Sequence, residues 1–578
     1  MTGVAAPSQS NVSTSPIAFP ECFNLANYFL FDRLNEGLGN KVALRFGERQ
    51  WTYADVASRS RAVATFLLDD GLRPEDRVVT ILPDLPPFAW SIFGVLASAG
   101  ILAMGNPATP VADLAFMLNY VKAAVVITTP EVALALAEHG ALTRRELPNL
   151  RTLLLVPNAA TDDDPEAMVD VAAFAPQLRI VALTDAIVQG HASTVQLPVT
   201  HRDDPCIWLF TSGSTGRPKA AMHTHRDFAF NTEVYAKATV GYRFDDITLS
   251  VPRLFFGYAT GTNLWFPFAV GATVALFSER PTAASVAAAI DRYRPTIVTN
   301  VPTMIGKLLD LDAEQTAAGG PGVDLSSVRF HLSAGEALPP ALLERFIARY
   351  GAEVYDGIGS AEMFHIYCSN RPGDVRPGSL GRVVQGYELR VLPEAATDPG
   401  APLLPAGEIG VLWVKGDSVA LGYYQDRDKS WLTFHGHWCR TGDLFRMDTD
   451  GYLFIAGRAD ELLKVGGVFV APLEVEECLM THPAVSCCAV IAGTEDDLVK
   501  PKAIVCVRPE FRAVLHGVGR VALAAELKAH VQARLSKYKY PRWVVFVDEL
   551  PKNDRDKIDR RALNQMAALG QLVEAGDS

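Results

Sequence analysis

Long apolar runs, paired cysteines and an excess of positive charge are all missing from this chain of 578 residues. The most apolar stretch, Trp90 to Gly105, is shorter than the ~18 to 20 residues a membrane helix needs, and it lies between proline-containing segments. It reads as one buried helix, and no membrane partner is expected. The eight cysteines include no C-x-x-C pair, so the spacing gives no support for a zinc site. Thiols scattered singly through a large acidic chain suit a reducing compartment. The first residues, MTGVAAPSQSNVSTSP, carry neither the basic region nor the apolar stretch of a secretory signal. A cytoplasmic protein is expected. Lys and Arg number 53 against 65 Asp and Glu, a net charge of −12. No global basic field therefore exists to hold a nucleic acid, and a phosphate-bearing ligand must be gripped by local donors. No short-period repeat and no G-x-S-x-G elbow are present, so neither a solenoid nor an α/β-hydrolase nucleophile is supported.

What is present is ordinary globular material: 49% hydrophobic and 20% charged residues, ample for a large core. At roughly 150 residues per domain the length allows about four domains, or one large α/β unit with a smaller partner. Short β-branched runs (Val78 to Leu82, Ala124 to Thr128, Leu153 to Val156, Ile297 to Asn300, Val328 to Leu332) alternate with segments of helical spacing such as Tyr53 to Leu68 and Pro281 to Arg292. That alternation predicts an α/β fold with buried, partly parallel strands. Thr161 to Pro165 and Ala313 to Asp324 read as surface loops. The character changes near Gly457, after a Gly-, Tyr- and Trp-rich block with short strands. The expected organisation is a tail over 1–20, a large domain over 21–459 and a small α+β domain over 460–578. The small domain should hold strands at Ala489 to Ile491, Ala503 to Val507 and Trp543 to Val547 and a helix at Leu523 to Leu535. Its tail is basic (Lys537, Lys539, Arg542, Lys552, Arg555, Lys557, Arg560, Arg561), which is either a solvated face or part of a site.

The strongest chemical signal is Leu209-Phe-Thr-Ser-Gly-Ser-Thr-Gly-Arg-Pro-Lys219. An apolar strand runs into a loop with hydroxyls at Thr211, Ser212, Ser214 and Thr215, glycines at Gly213 and Gly216, and a closing Lys219. Glycines let the backbone approach a ligand and aim consecutive N–H groups at it. The hydroxyls and the ammonium add donors and charge, the chemistry of a polyphosphate cradle. The order G-x-x-G-x-x-K is not that of a Walker A loop, and a plain Ser/Gly turn would not need the lysine.

This loop resembles the phosphate-binding loop of the acyl-adenylate-forming superfamily, which includes acyl-CoA synthetases, luciferases and the adenylation domains of peptide synthetases. Further matches follow in order: Ser333-Ala-Gly-Glu-Ala-Leu-Pro339, Tyr355-Asp-Gly-Ile-Gly-Ser-Ala-Glu362, Tyr423-Tyr-Gln-Asp426, Thr441-Gly-Asp443, Gly457-Arg-Ala-Asp-Glu461 with Lys464-Val-Gly-Gly467, and Pro551-Lys-Asn-Asp-Arg-Asp-Lys557. The resemblance spans about residues 25 to 565. It implies an AMP-forming ligase with a large domain of mixed sheets, a small β-barrel subdomain and a mobile C-terminal domain. By it, Glu362 is the Mg²⁺-associated acid, since a hard dication takes oxygen ligands. Asp443 accepts from the ribose hydroxyls, with Arg458 beside it. Gly335, Glu336, Ala337, Asp356, Gly357 and Ile358 line the adenine slot, and Ser360 and Thr211 face the phosphates. Lys557 bridges the substrate carboxylate and the α-phosphate. Asp460 is the hinge about which the small domain turns, bringing Lys464, Gly466 and Gly467 to the thiol channel. Two departures stand out: Ala361 replaces the usual Thr before Glu362, and Asp556 replaces the usual Gly before Lys557.

The segment Val251-Pro-Arg-Leu-Phe-Phe-Gly-Tyr-Ala259 matches the mouth of the family's acyl pocket, with Phe255 at the gate. No Asp stands there to pair with an α-ammonium, which argues against amino acids. His225-Arg-Asp-Phe-Ala-Phe230 and Glu362-Met-Phe-His-Ile-Tyr-Cys-Ser-Asn370 look most like the benzoate-CoA ligase branch. By that resemblance Ala229, Phe230, Tyr258, Gly335, Ile358, Gly359 and His365 line a flat pocket whose aromatic walls suit an aryl ring. His365 is equally readable as a core histidine. The expected partners are ATP, Mg²⁺, coenzyme A and a benzoate, anthranilate or hydroxybenzoate, with a homodimer allowed. Loading of a carrier-protein phosphopantetheine is the alternative, and a nucleotide-binding protein without turnover a third reading. Gly517-Val-Gly-Arg-Val-Ala522 reads as a turn before a helix and His223-x-His225 as structural rather than as a metal pair.

Overall fold

The computed structural model describes residues 17–171, 178–212, 218–336, 338–458, 461–465, 468–495, 498–515, 518–552 and 558–575. Two large sheets carry the N-terminal part. The first has seven strands in the order Arg179–Ala182, Thr152–Leu155, Ala123–Thr128, Arg77–Ile81, Ile101–Met104, Pro205–Ser212 and Pro218–Thr224. All its pairings are parallel except the last, where Pro218–Thr224 folds back antiparallel on Pro205–Ser212. The second has nine strands, with Ile247–Ser250, Ile297–Asn300, Phe330–Ala334 and Glu353–Gly359 as its parallel centre. Ile366–Ser369 then returns antiparallel along Glu353–Gly359. Buried on both faces, the parallel strands read as continuous apolar runs.

One apolar cluster joins the sheets through the wholly buried helix Pro86–Ala97. Here the structure corrects the reading of Trp90 to Gly105 as one helix. Ala99 turns at φ +57°, Gly100 follows, and the strand Ile101–Met104 takes the rest. Both elements are buried, so hydrophobicity alone does not separate them. The expected loop Ala313 to Asp324 is also corrected, because the helix Pro302–Ala317 extends into it. Other elements lie where their local chemistry puts them. The helix Tyr53–Asp69 starts at a capping box of Thr52 and Asp55.

The next unit is an antiparallel sheet of Glu388–Leu392, Ile409–Lys415, Trp438–Met447, Phe434–His435 and Leu453–Arg458. Among the described residues no pairing closes it into the expected barrel. Trp438–Met447 gives one edge to Ile409–Lys415 and shares the other between Phe434–His435 and Leu453–Arg458. The C-terminal unit pairs Val485–Glu495, Leu498–Val507 and Trp543–Phe546 against the helices Pro472–Met480 and Val518–Gln532, over a core that includes Val475, Leu479, Val490 and Leu527. The helix expected from Leu523 begins at Val518. The basic tail is partly neutralised rather than simply solvated. Arg560 makes a two-pronged pair with Glu476 at 2.7 and 2.8 Å, and Lys539 pairs with Glu474 at 2.6 Å. Among the described residues no helix is long and apolar enough to cross a membrane.

Candidate active site

The two large sheets carry part of the candidate residues, and the five-stranded sheet and a C-terminal hairpin carry others. Pro205–Ser212 and Pro218–Thr224 form a hairpin with Thr211 and Lys219 as register partners. Between them Gly213, Ser214, Thr215 and Gly216 lie outside the described residues, and of Ser212 only the backbone is described. Lys219 Nζ sits 2.8 Å from the Asp426 carboxylate. Burial pulls Asp426 toward neutrality. The hydrogen bonds from Lys219 and the Lys429 N–H, with both positive charges, outweigh it and hold the carboxyl below its usual value.

Glu362 occupies a single turn, Ala361–Met363, directly after the strand Glu353–Gly359. Its Oε1 accepts a 2.7 Å bond from the Tyr423 hydroxyl. Burial, then the Glu362 charge and this hydrogen bond, push the Tyr423 phenol far above its normal range. The turn is anchored at three successive carbonyls. Ala361 O lies 2.6 Å from His223 Nε2, Glu362 O accepts from the Ala420 N–H at 2.8 Å, and Met363 O accepts from Ser418 Oγ at 2.9 Å. Next comes Phe364 at φ +67°, a conformation costly for a bulky residue. Its ring packs on Phe228 at 3.7 Å. Ser360, in front of the turn, has a buried hydroxyl with no hydrogen-bond partner among the described residues.

On the second sheet, Ser333 and Asp356 are register partners, as are Ala334 and Gly357. Asp356 is buried, and burial lifts its carboxyl to about 7 against the opposing hydrogen bonds of Ser333 and of the Leu338 and Gly357 N–H groups. Gly335 turns the chain at φ +94°. Glu336 Oε2 accepts from Thr303 at 2.8 Å, and Ala337 lies outside the described residues. A Cβ at Gly357 would stand 2.8 Å from the Cys368 carbonyl oxygen, and one at Gly359 2.4 Å from that of His365. These two positions can hold only glycine while that pairing keeps its place. Asp443 and Arg458 are cross-strand partners 3.3 Å apart. Lys464 lies in the short hairpin of Leu463–Val465 and Val468–Val470. Asp460, Gly466, Gly467 and Lys557 lie outside the described residues.

His365 is buried in an aromatic group. Phe266, Tyr258, Phe364 and Tyr235 rings lie 4.7, 5.4, 5.4 and 5.7 Å from it. Its Nε2 donates to the Tyr258 carbonyl at 3.0 Å, which leaves Nδ1 as an acceptor. That Nδ1 and the Tyr258 hydroxyl are buried and unpartnered among the described residues. Burial, against the bond to Tyr258 O, lowers the imidazole to about 4, so it is neutral near pH 7. Ile358 stands opposite Cys368 on the strand pair behind it. Phe255 stacks edge-on against Phe256 at 4.6 Å. Ala229 and Phe230 are buried on the helix His225–Asn231, where Phe230 faces Tyr387 at 5.3 Å rather than joining the rings around His365. Sequence reasoning missed Tyr235 and Phe266 in this wall and gave Tyr423 no role. For Tyr423 a signal existed in the block Tyr423 to Asp426; for the other two there was only generic hydrophobicity.

The sequence profile of AMP-binding enzymes matches residues 31–424, and that of the AMP-binding enzyme C-terminal domain matches 474–557. The chain belongs to the AMP-binding enzyme family. Its fold is that of adenylate-forming enzymes, and the family is one of AMP-forming ligases. Among its relatives is the benzoate–CoA ligase of Thauera aromatica, 36% identical over 94% of this chain and 96% of that one. The 4-hydroxybenzoate–CoA/benzoate–CoA ligase of Rhodopseudomonas palustris is 33% identical over 96% of each. Among solved structures, the anthranilate CoA ligase AuaEII in complex with anthranoyl-AMP superposes with a TM-score of 0.83 at 34% identity, covering 96% of this chain and 99% of that one. A benzoate CoA ligase from Burkholderia xenovorans LB400 gives 0.80 at 34% identity over 94% and 99%.

Proposed function

We propose that the protein is an ATP-dependent aryl-CoA ligase acting on a benzoate, anthranilate or hydroxybenzoate. The observation that carries this is the short link between two environments. Glu362, in the turn beside the phosphate-loop hairpin, and His365, in a buried aromatic wall with two unpaired polar atoms, are three residues apart. The chain turns at Phe364 between them, and in this reading a flat ring bearing a carboxylate bridges the two.

In this reading a carboxylate oxygen of the acid attacks the α-phosphorus of ATP and pyrophosphate leaves. The thiolate sulfur of coenzyme A then attacks the acyl carbon, and AMP leaves. Lys219, Thr211, Ser212 and the 213–216 loop hold the phosphates, Asp443 and Arg458 the ribose, and the Gly335, Glu336, Ala337, Asp356, Gly357 segment the adenine. Lys557 neutralises both anions during adenylation, and Lys464, Gly466 and Gly467 line the thiol path after rotation about Asp460. Phe255, Ala229, Phe230, Ile358 and Gly359 complete the acyl side.

The residues present fit Mg²⁺. Glu362 offers one carboxylate beside the orphaned Ser360 hydroxyl, which suits a dication that also takes substrate phosphate oxygens. When bound, the ion supplies charge neutralisation at the phosphates. The neutral His365 accepts through Nδ1, which matches an amino or hydroxyl ring substituent, and the Tyr258 hydroxyl can donate beside it. All eight cysteines are free thiols, which supports a cytoplasmic setting. Carrier-protein loading is not favoured, because the full-length relatives above are CoA ligases.

The test is chromatographic detection of AMP and aryl-CoA from ATP, Mg²⁺, coenzyme A and a panel of aryl and alkyl acids. Formation of an aryl-CoA confirms the reading. Turnover confined to alkyl acids, or none, refutes it.

A further inference from the structure

The turn that carries Glu362 is held by a buried pair of ionisable groups. His223 lies on the strand Pro218–Thr224, four residues beyond Lys219, and its side chain is fully buried. Nδ1 is 2.8 Å from Asp227 Oδ2 and Nε2 is 2.6 Å from the carbonyl oxygen of Ala361. A carbonyl oxygen can only accept, so Nε2 is the donor to Ala361 and Nδ1 faces the Asp227 carboxyl. Asp227 is itself fixed. Its Oδ2 accepts from the Thr224 N–H at 3.1 Å and its Oδ1 from the Thr224 hydroxyl at 2.6 Å, the capping box of the helix His225–Asn231.

Of the four donors that pin the Ala361–Met363 carbonyls (His223, the Ala420 N–H, Ser418 and the His365 N–H), His223 alone comes from the phosphate-loop hairpin. The chain Asp227–His223–Ala361 therefore ties the strand bearing Lys219 to the turn bearing Glu362. The strained Phe364 that follows makes such a tether necessary, since strain persists only where surrounding contacts over-determine it.

We propose that His223, oriented by Asp227, is a positioning residue that fixes the Glu362 carboxylate relative to the strand bearing Lys219 and so sets the affinity for Mg²⁺-bound ATP. This rests on the ligase reading above. It also gives a physical reason for the first histidine of the His223-x-His225 pair. Removing a group that orients a metal ligand typically lowers metal affinity by roughly 10- to 100-fold.

The experiment is calorimetric titration of ATP into the full chain with and without Mg²⁺, on wild type, His223→Leu, His223→Gln and Glu362→Gln, and on the double variant His223→Leu with Glu362→Gln. In wild type Mg²⁺ is expected to tighten ATP binding. His223→Leu should lose about tenfold or more of that enhancement, while ATP affinity without Mg²⁺ stays within about twofold. His223→Gln, which keeps one donor, should recover part of it. The double variant should be no worse than Glu362→Gln, because His223 acts through Glu362. An unchanged Mg²⁺ enhancement in His223→Leu, or additive losses in the double variant, overturns the inference alone. If His223→Leu fails to fold, His223→Asn, polar but too short to reach Ala361, must show the same Mg²⁺-specific loss or the inference falls. Wild type that does not bind ATP overturns the ligase reading itself.

Discussion

At the residue scale the site depends on a few side chains whose charge state is set by what surrounds them. Tyr423 is the clearest unread case. Its hydroxyl gives Glu362 a 2.7 Å bond, and hydrogen bonds to charged groups contribute roughly 1.5 to 3 kcal/mol. Tyr423→Phe should therefore lower kcat/KM for Mg²⁺·ATP by roughly tenfold or more. KM for the aryl acid should move little, because the aromatic group around His365, proposed to hold it, lies on the far side of Phe364 in the chain from Glu362. Steady-state kinetics with each substrate varied in turn separates the two, and an equal loss for both would contradict the assignment. Thr211, Lys219, Glu362, Asp443 and Arg458 are named by ordered motifs in the sequence, and the structure makes Asp443 and Arg458 cross-strand partners. Tyr235 and Phe266 were not legible, since a buried aromatic in a pocket wall and one in a core share the same local sequence signal. The pairing of Lys219 with Asp426, 207 positions apart, is a product of tertiary folding that no local pattern encodes.

At the element scale the two large sheets carry the strands on which Lys219, Ser333 and Asp356 stand. The strand Phe330–Ala334 illustrates how tightly they are packed. His331 is wholly buried against Phe346, with neither ring nitrogen hydrogen-bonded among the described residues, and burial alone lowers its imidazole to about 3. In the unfolded chain it takes up a proton near 6.5, so between pH 6.5 and 3 the unfolded state binds more protons and stability falls as the pH drops. His331→Leu removes that penalty. Its melting temperature relative to wild type should be higher at pH 5 than at pH 8 by on the order of 2 °C, measured by thermal unfolding at both pH values. An equal difference at both would mean that His331 is protonated in the folded state. Strand periodicity located this element to within two residues. It did not distinguish a helix from a helix-plus-strand at Trp90 to Gly105, because complete burial erases the polar alternation that separates the two.

At the scale of the whole molecule the claim is that two reactions share one site through rotation of the C-terminal unit. That unit has its own core and its own buried ion pair, Arg560 with Glu476, as a body that moves as a piece requires. Sequence motifs alone point to Asp460 as the hinge. Asp460→Pro fixes a backbone torsion there. It should leave adenylate formation within roughly threefold of wild type while slowing thioester formation at least about tenfold, since rotation separates the two steps. Rapid-quench measurement of each half-reaction checks this, and equal losses in both would place the pivot elsewhere. The order of the motifs made the two-part plan readable, whereas the open edge of the five-stranded sheet depends on which strands Trp438–Met447 pairs with, a choice made only on folding.

The most direct measurement is exchange of labelled pyrophosphate into ATP in the absence of coenzyme A. With Mg²⁺ present, the account predicts exchange that depends on benzoate, anthranilate or a hydroxybenzoate and vanishes in Lys557→Ala. Exchange absent with every aryl acid, or undiminished in Lys557→Ala, would contradict it.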